Sequence, residues 1–96
     1  MSYTSVQIFD TDYLWAVGMK RFRANVVPGL SAAKKAKMMT SWTLVQTGAH
    51  NGMLIIEYPN KSARTKFFKA MTATRQGEAE AGAQMWTYHG PVKASG

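Results

Sequence analysis

Cysteine is absent from the 96 residues. That excludes a disulfide framework, a thiolate metal site and a cysteine nucleophile. It fits a reducing compartment, and the cytoplasm is the expected location. Acidic residues are scarce: five Asp and Glu stand against twelve Lys and Arg, for a formal net charge of +7. With two histidines and five carboxylates, a dedicated metal site of three or four ligands is not expected. No Walker loop, nucleophile elbow or GxGxxG run occurs, and no cofactor is expected. Long apolar runs are missing too. A run such as Met53 to Ile56 falls far short of the ~20 residues that a bilayer-spanning helix needs. No basic segment followed by an apolar run marks a secretory signal, so no membrane association is expected.

What is present is a folded composition, 46% hydrophobic, in a length that makes one domain, residues 1–96. A chain this small buries a limited share of its surface, so a partner subunit would help it. The centre of the pattern is Trp42 to Tyr58, WTLVQTGAHNGMLIIEY. Trp42 to Gln46 alternates, and Met53 to Tyr58 is almost continuously apolar, as expected of a strand covered on both sides. Gly and Asn between them allow the left-handed backbone of a hairpin turn.

Before the hairpin, Tyr3 to Phe9 alternates as a strand, with Val6 and Ile8 on one face and Tyr3, Ser5, Gln7 and Phe9 on the other. Asp10 and Asp12 are expected to cap the first helix. Trp15, Met19, Phe22 and Val26 recur at helical spacing. Pro28-Gly29 breaks or kinks this helix, and Ser31 can cap a second helical piece over AAKKAKMM. After the hairpin, Pro59-Asn60 stops the strand and Ser62 can cap a helix from near Ala63. Its stripe is Ala63, Phe67, Ala70, Met71 and Thr74. Gly77 and Gly82 leave its continuation open. Met85 to His89 reads as the last strand, ended by Gly90-Pro91, with residues 91–96 as a tail.

The order is β-α-β-β-α-β, the ferredoxin-like pattern: an α+β fold with a four-stranded antiparallel sheet and its helices on one face. Gln7, Phe9, Trp42, Leu44, Gln46, Ile55, Glu57, Trp86 and Tyr88 are assigned to the other, open face. Such a face is too apolar and aromatic to be left in water and marks an interface or binding surface. A homodimer through it is expected.

The βαββαβ order, the TGAHNG turn leading into GMLIIEYPN, and this mixed aromatic and polar face resemble the dimeric α+β barrel superfamily over about Tyr3 to Val92. The resemblance implies two ferredoxin-like units packed sheet against sheet, each with a pocket between its sheet and its helices or the partner. Members include antibiotic-biosynthesis-type and haem-degrading monooxygenases, EthD-like proteins, muconolactone isomerases and stress-responsive barrels. The stretch Pro28 to Met39 lengthens the first helical region beyond the single helix usual there, and no catalytic residue is carried over.

Candidate chemistry rests on few residues. Glu57 is a carboxylate in an apolar strand, where it is either desolvated and poised as an acid or base, or paired at a strand end. Gln7, Gln46 and Tyr88 are its expected polar neighbours. His89, at the end of the last strand, is the second catalytic candidate, and His50, in the hairpin turn, a ligand-binding one. The alternative reading for each is an ordinary histidine, solvated in the turn or at the strand end. Trp42, Trp86 and Tyr88 can stack on a planar ligand or simply pack. Three functions are open to such a chain. One is a small enzyme, monooxygenase-like or isomerase-like and cofactor-independent, acting on a small apolar or aromatic molecule. The second is a non-catalytic homodimer that binds such a ligand or only its twin. The third, a weak nucleic-acid binder, ranks last: the aromatic signature of RNA-binding sheets is absent and the basic residues fall on the helices.

Overall fold

In a computed structural model of the chain, which describes residues 2–96, four strands form one antiparallel sheet in the order β2-β3-β1-β4. The strands are β1 (Tyr3–Asp10), β2 (Ser41–Gln46), β3 (Asn51–Tyr58) and β4 (Gln84–Pro91). The ferredoxin-like order holds, but each helical region is a pair: α1 (Trp15–Asn25) with α2 (Val27–Lys35), and α3 (Lys61–Ala70) with α4 (Thr72–Glu80). Pro28 lies in the first turn of α2, where its missing N–H costs nothing. The α2 helix therefore begins four residues before Ser31, which sits inside it and caps nothing.

Two other caps also differ from expectation. The N-cap of α1 is Leu14, with no side-chain bond to the helix end; Asp10 pairs within β1 instead. The cap of α3 is Asn60, whose side chain accepts from the Ala63 N–H at 2.9 Å, so the helix starts ahead of the position that a Ser62 cap would require. The last strand runs on to Pro91, opposite Tyr3. Proline is tolerated there because β4 is an edge strand, with no neighbour on its outer side to ask for an N–H.

The core lies between the helices and one face of the sheet. Tyr3, Leu54, Ile56 and Tyr58 from the strands are buried with Leu30 and Ala33 of α2 and Ala63 and Phe67 of α3. Gly52 sits on this same face. A Cβ there would fall 2.6 Å from the Phe9 ring and 2.8 Å from both Trp15 and the Val45 carbonyl. Glycine at position 52 thus serves a close approach. The hairpin turn does not need left-handed backbone: among the described residues, only Lys37 and Gly82 have positive φ.

Both of those residues end helices. After α2, the Met38 N–H reaches the Ala33 carbonyl at 2.8 Å and the Lys37 N–H reaches Lys34 at 3.1 Å. After α4, Ala83 bonds Glu78 and Gly82 bonds Ala79 in the same way. This is the pair of bonds that closes a helix through one left-handed residue. Gly82 adopts that conformation freely, whereas Lys37, at φ 61°, crowds its Cβ against the backbone. Lys37→Gly is expected to raise stability by about 1 kcal/mol, less the added freedom of the unfolded chain. A urea midpoint that falls would contradict it.

The open face is the other side of the sheet. The register sets Val45, Met53, Ile8 and Trp86 in one row across it, and Thr43, Ile55, Val6 and Tyr88 in the next. Ile8, Trp86 and Tyr88 are 36%, 48% and 63% exposed. Several residues assigned to this face belong to the other. Gln7, Phe9, Trp42, Leu44 and Gln46 share the helix side with Leu54 and Ile56, because Gln7 pairs with Leu54, Phe9 with Gly52 and Trp42 with Ile56. Among the described residues, no helix is long and apolar enough to cross a membrane.

Candidate functional site

Between the helix side of the sheet and the helices lies a cavity of about 130 Å³. Its floor is Gln7 and Phe9 of β1, Leu54 and Ile56 of β3, and Met85 and Thr87 of β4; Trp15, Gly18 and Phe22 of α1 and Arg75 and Glu78 of α4 form walls. Alternation on the strands delivers every second side chain to it, and the inward-facing stripes of the helices deliver most of the rest. The lining is mostly apolar, with a few polar groups.

The densest polar group joins two stretches far apart in sequence, the start of the first helical region and α4. The Tyr13 hydroxyl donates to Glu78 Oε2 at 2.8 Å. Arg21 donates to the same carboxylate from Nη2 to Oε1 at 3.1 Å and from Nε to Oε2 at 3.3 Å, a two-pronged contact. Burial alone would raise the Glu78 pKa; the bonds from Arg21 and Tyr13 and the guanidinium charge outweigh it and hold the carboxyl below its ordinary value. Tyr13 moves the other way, raised first by burial and then by its bond to Glu78.

His50 also lines the cavity. Its Nδ1 lies 3.0 Å from the Tyr13 carbonyl oxygen. A carbonyl only accepts, so Nδ1 carries the proton and Nε2 of the neutral ring keeps the lone pair. Thr11 Oγ1 donates to the same carbonyl at 3.0 Å. Gln7 Nε2 reaches only the Met85 sulfur, at 3.0 Å, a weak acceptor. Ser5 and Tyr58 satisfy each other through their hydroxyls at 2.9 Å.

Of the candidate site residues named from the sequence, only Gln7 and His50 border the cavity. Glu57 is exposed on the open face, where its carboxylate accepts from Ser41 Oγ at 3.2 Å. The expected grouping of Glu57 with Gln7 and Gln46 does not form, because those glutamines are on the opposite side of the sheet. Gln46 is exposed and donates to the Gly48 carbonyl at 3.2 Å. Trp42 packs on Phe22, ring centroids 5.7 Å apart, beside an outer groove between α1 and β2. Trp86 and Tyr88 lie on the open face, clear of the cavity. His89 is exposed at the sheet edge, its Nδ1 2.6 Å from the Tyr3 hydroxyl. Burial, and then the charges of Arg64 and Lys61, press its pKa below the ordinary value. Among the described residues, no cluster of three or more potential metal-ligating side chains occurs.

Tyr13, Arg21, Glu78 and Arg75 escape a sequence reading. Arg21 and Glu78 are 57 positions apart, and each sits in a stretch that reads as an ordinary charged helix. The one local signal is Tyr13, an aromatic hydroxyl in the short connection between a strand and a helix.

No family model matches this chain, and no curated protein matches it. Solved structures do. A dimeric ferredoxin-like protein from an uncultured marine organism superposes with a TM-score of 0.78 at 12% identity, over 97% of this chain and 96% of that one. SnoaB, a cofactor-independent oxygenase from Streptomyces nogalater, gives 0.72 at 11% identity over 98% and 95%. Rv0793 from Mycobacterium tuberculosis gives 0.72 at 9% identity over the full length of both chains. At such identities the likeness is one of fold, and the chain has the ferredoxin-like fold.

Proposed function

We propose that this protein is a homodimer, joined through its open sheet face, that takes a small, largely apolar aromatic molecule into the cavity between sheet and helices. The carrying observation is the cavity itself, apolar over most of its lining and bordered by the Tyr13–Glu78–Arg21 group, Gln7 and His50. A dry apolar cavity of about 150 Å³ holds benzene, so a cavity of about 130 Å³ is of the size of a single ring. The two apolar rows of the open face support the dimer, as does the dimeric state of the marine neighbour.

The enzymatic form of this reading is a cofactor-independent, oxygenase-like or isomerase-like activity, in line with the SnoaB likeness. Isomerisation needs only a proton taken from one atom of the substrate and returned at another. Oxygenation without a cofactor needs dioxygen and a substrate that supplies the electrons itself. In either case His50 is the candidate base on the cavity wall: with Nδ1 given to the Tyr13 carbonyl, Nε2 is the nitrogen left to accept a proton. Glu78 is ill suited, since Arg21 and Tyr13 hold it ionised and occupied. That same saturation favours a second reading, a non-catalytic binder in which the polar group only orients the ligand.

Binding is checked by titrating the isotope-labelled protein with toluene. Amide shifts are expected around Gln7, Gly18 and Thr87 and at the Trp15 indole. Thr87→Phe, which fills the space, is expected to abolish them while the protein stays folded. Shifts confined to Trp86 and Tyr88, or none at all, would sink the cavity reading.

A further inference from the structure

Most basic residues of the helices are exposed: Lys20, Arg23, Lys34, Lys35, Lys66 and Lys69 all reach solvent. Arg64 of α3 and Arg75 of α4 do not follow them. Both guanidinium groups lie over the Phe68 ring, with Cζ 4.2 Å and 3.5 Å from its centroid. The Nε atoms of both are buried, and neither has a hydrogen-bond partner. The salt bridge found among the described residues joins Arg21 to Glu78, so neither Arg64 nor Arg75 meets a carboxylate.

Arg75 is positioned rather than neutralised. Its Nη2 donates to the Phe68 carbonyl at 2.9 Å and to Thr72 Oγ1 at 3.1 Å, both uncharged acceptors. Burial first, and then the charge of Arg64, lower its pKa: the guanidinium is partly desolvated and lies near a like charge. One guanidinium would satisfy a ring face; a second on the same ring adds repulsion that a bound anion would relieve. Phe68 and Arg75 both line the cavity.

We propose that the Arg64–Phe68–Arg75 stack is the anion-recognising end of the cavity, and that the ligand class is a small aromatic carboxylate. The ring occupies the apolar space. The carboxylate meets the unoccupied donors of Arg75, whose planar fork matches it, and Arg64 adds charge from the neighbouring helix. This assignment rests on the proposed cavity function and goes further, by naming the charge that the ligand carries.

The test uses the full chain and three probes: benzoate, its neutral isostere benzamide, and toluene. Wild type is expected to bind benzoate at least about ten-fold more tightly than benzamide at low salt, with shifts at the Nε–H signals of Arg64 and Arg75. In Arg75→Gln the preference is expected to fall to about two-fold or less, while toluene still binds, which shows that the cavity is intact. Arg75→Lys keeps the charge without the fork and should retain part of the preference. Equal binding of benzoate and benzamide by wild type, with toluene still bound, overturns the arginine assignment and leaves the cavity reading standing. If none of the three binds, the cavity reading falls and takes the assignment with it. Inorganic phosphate that shifts the two Nε–H signals as strongly as benzoate does would also overturn it, since the ring would then contribute nothing.

Discussion

Replacing Ile8 with glutamate is expected to leave this protein folded but monomeric. Ile8 lies in the middle strand pair of the open face, opposite Met53 on one side and Trp86 on the other. The neighbouring row, Ile55, Val6 and Tyr88, is apolar as well. In the proposed dimer this block is the dry centre of the interface. A carboxylate placed there loses its water and meets no cation, a cost of several kcal/mol. Every 1.4 kcal/mol is ten-fold in the dissociation constant, so weakening of about a thousand-fold or more is expected. In the isolated subunit the same position is 36% exposed, so glutamate is tolerated there. Light scattering at micromolar concentration reads the result as a halving of mass. A wild type that is already monomeric, or a variant that remains dimeric, would rule out this face as the interface.

Leu30→Ala is expected to cost about 2–5 kcal/mol, the range for truncating a fully buried leucine into a cavity. Leu30 is 0% exposed and is the largest side chain so fully enclosed among the described residues. It comes from α2, the helix that carries Pro28 and lengthens the first helical region, whereas α1 contributes no fully buried residue. The added helix is therefore part of the core. Total stabilities of small domains run about 5–15 kcal/mol, so the loss is a large fraction of the whole. Urea unfolding measures it, with Leu14→Ala as a control, because Leu14 is 61% exposed and should change little. A Leu30→Ala midpoint within about 0.5 kcal/mol of wild type would mean that α2 is an appendage.

The strands were legible because their pattern is local. Tyr3, Ser5, Gln7 and Phe9 fall on one side of β1 and Val6 and Ile8 on the other, as alternation requires. Which side meets the helices was not legible. In β3, Leu54 and Ile56 face the core while Met53 and Ile55 face out, and no difference in polarity separates them. In β1 both sets mix polar and apolar residues, Tyr3, Ser5, Gln7 and Phe9 inside and Thr4, Val6, Ile8 and Asp10 outside. Ser5 is buried because Tyr58, 53 positions away, satisfies its hydroxyl. Trp86 and Tyr88, large and aromatic, point outward. Polarity misleads wherever a distant partner answers a buried hydroxyl, or where an apolar face awaits a second surface.

The site shows the same division. Local spacing picks out histidines and a carboxylate in a strand, and two of those residues end up elsewhere: Glu57 on the open face and His89 at an exposed edge. The sequence by itself determined the order of strands and helical regions, the two sets of residues on each strand, and the excess of positive charge. These depend on neighbours within one helical turn or two strand positions. Only the tertiary structure decided which sheet face is inside, that Tyr13 and Arg21 meet Glu78, and that Arg64 and Arg75 close on one ring while other basic side chains extend into water. The physical reason is distance along the chain. Strand register and helix packing join residues as far apart as Tyr3 and His89, 86 positions, and burial and charge pairing are settled by those contacts.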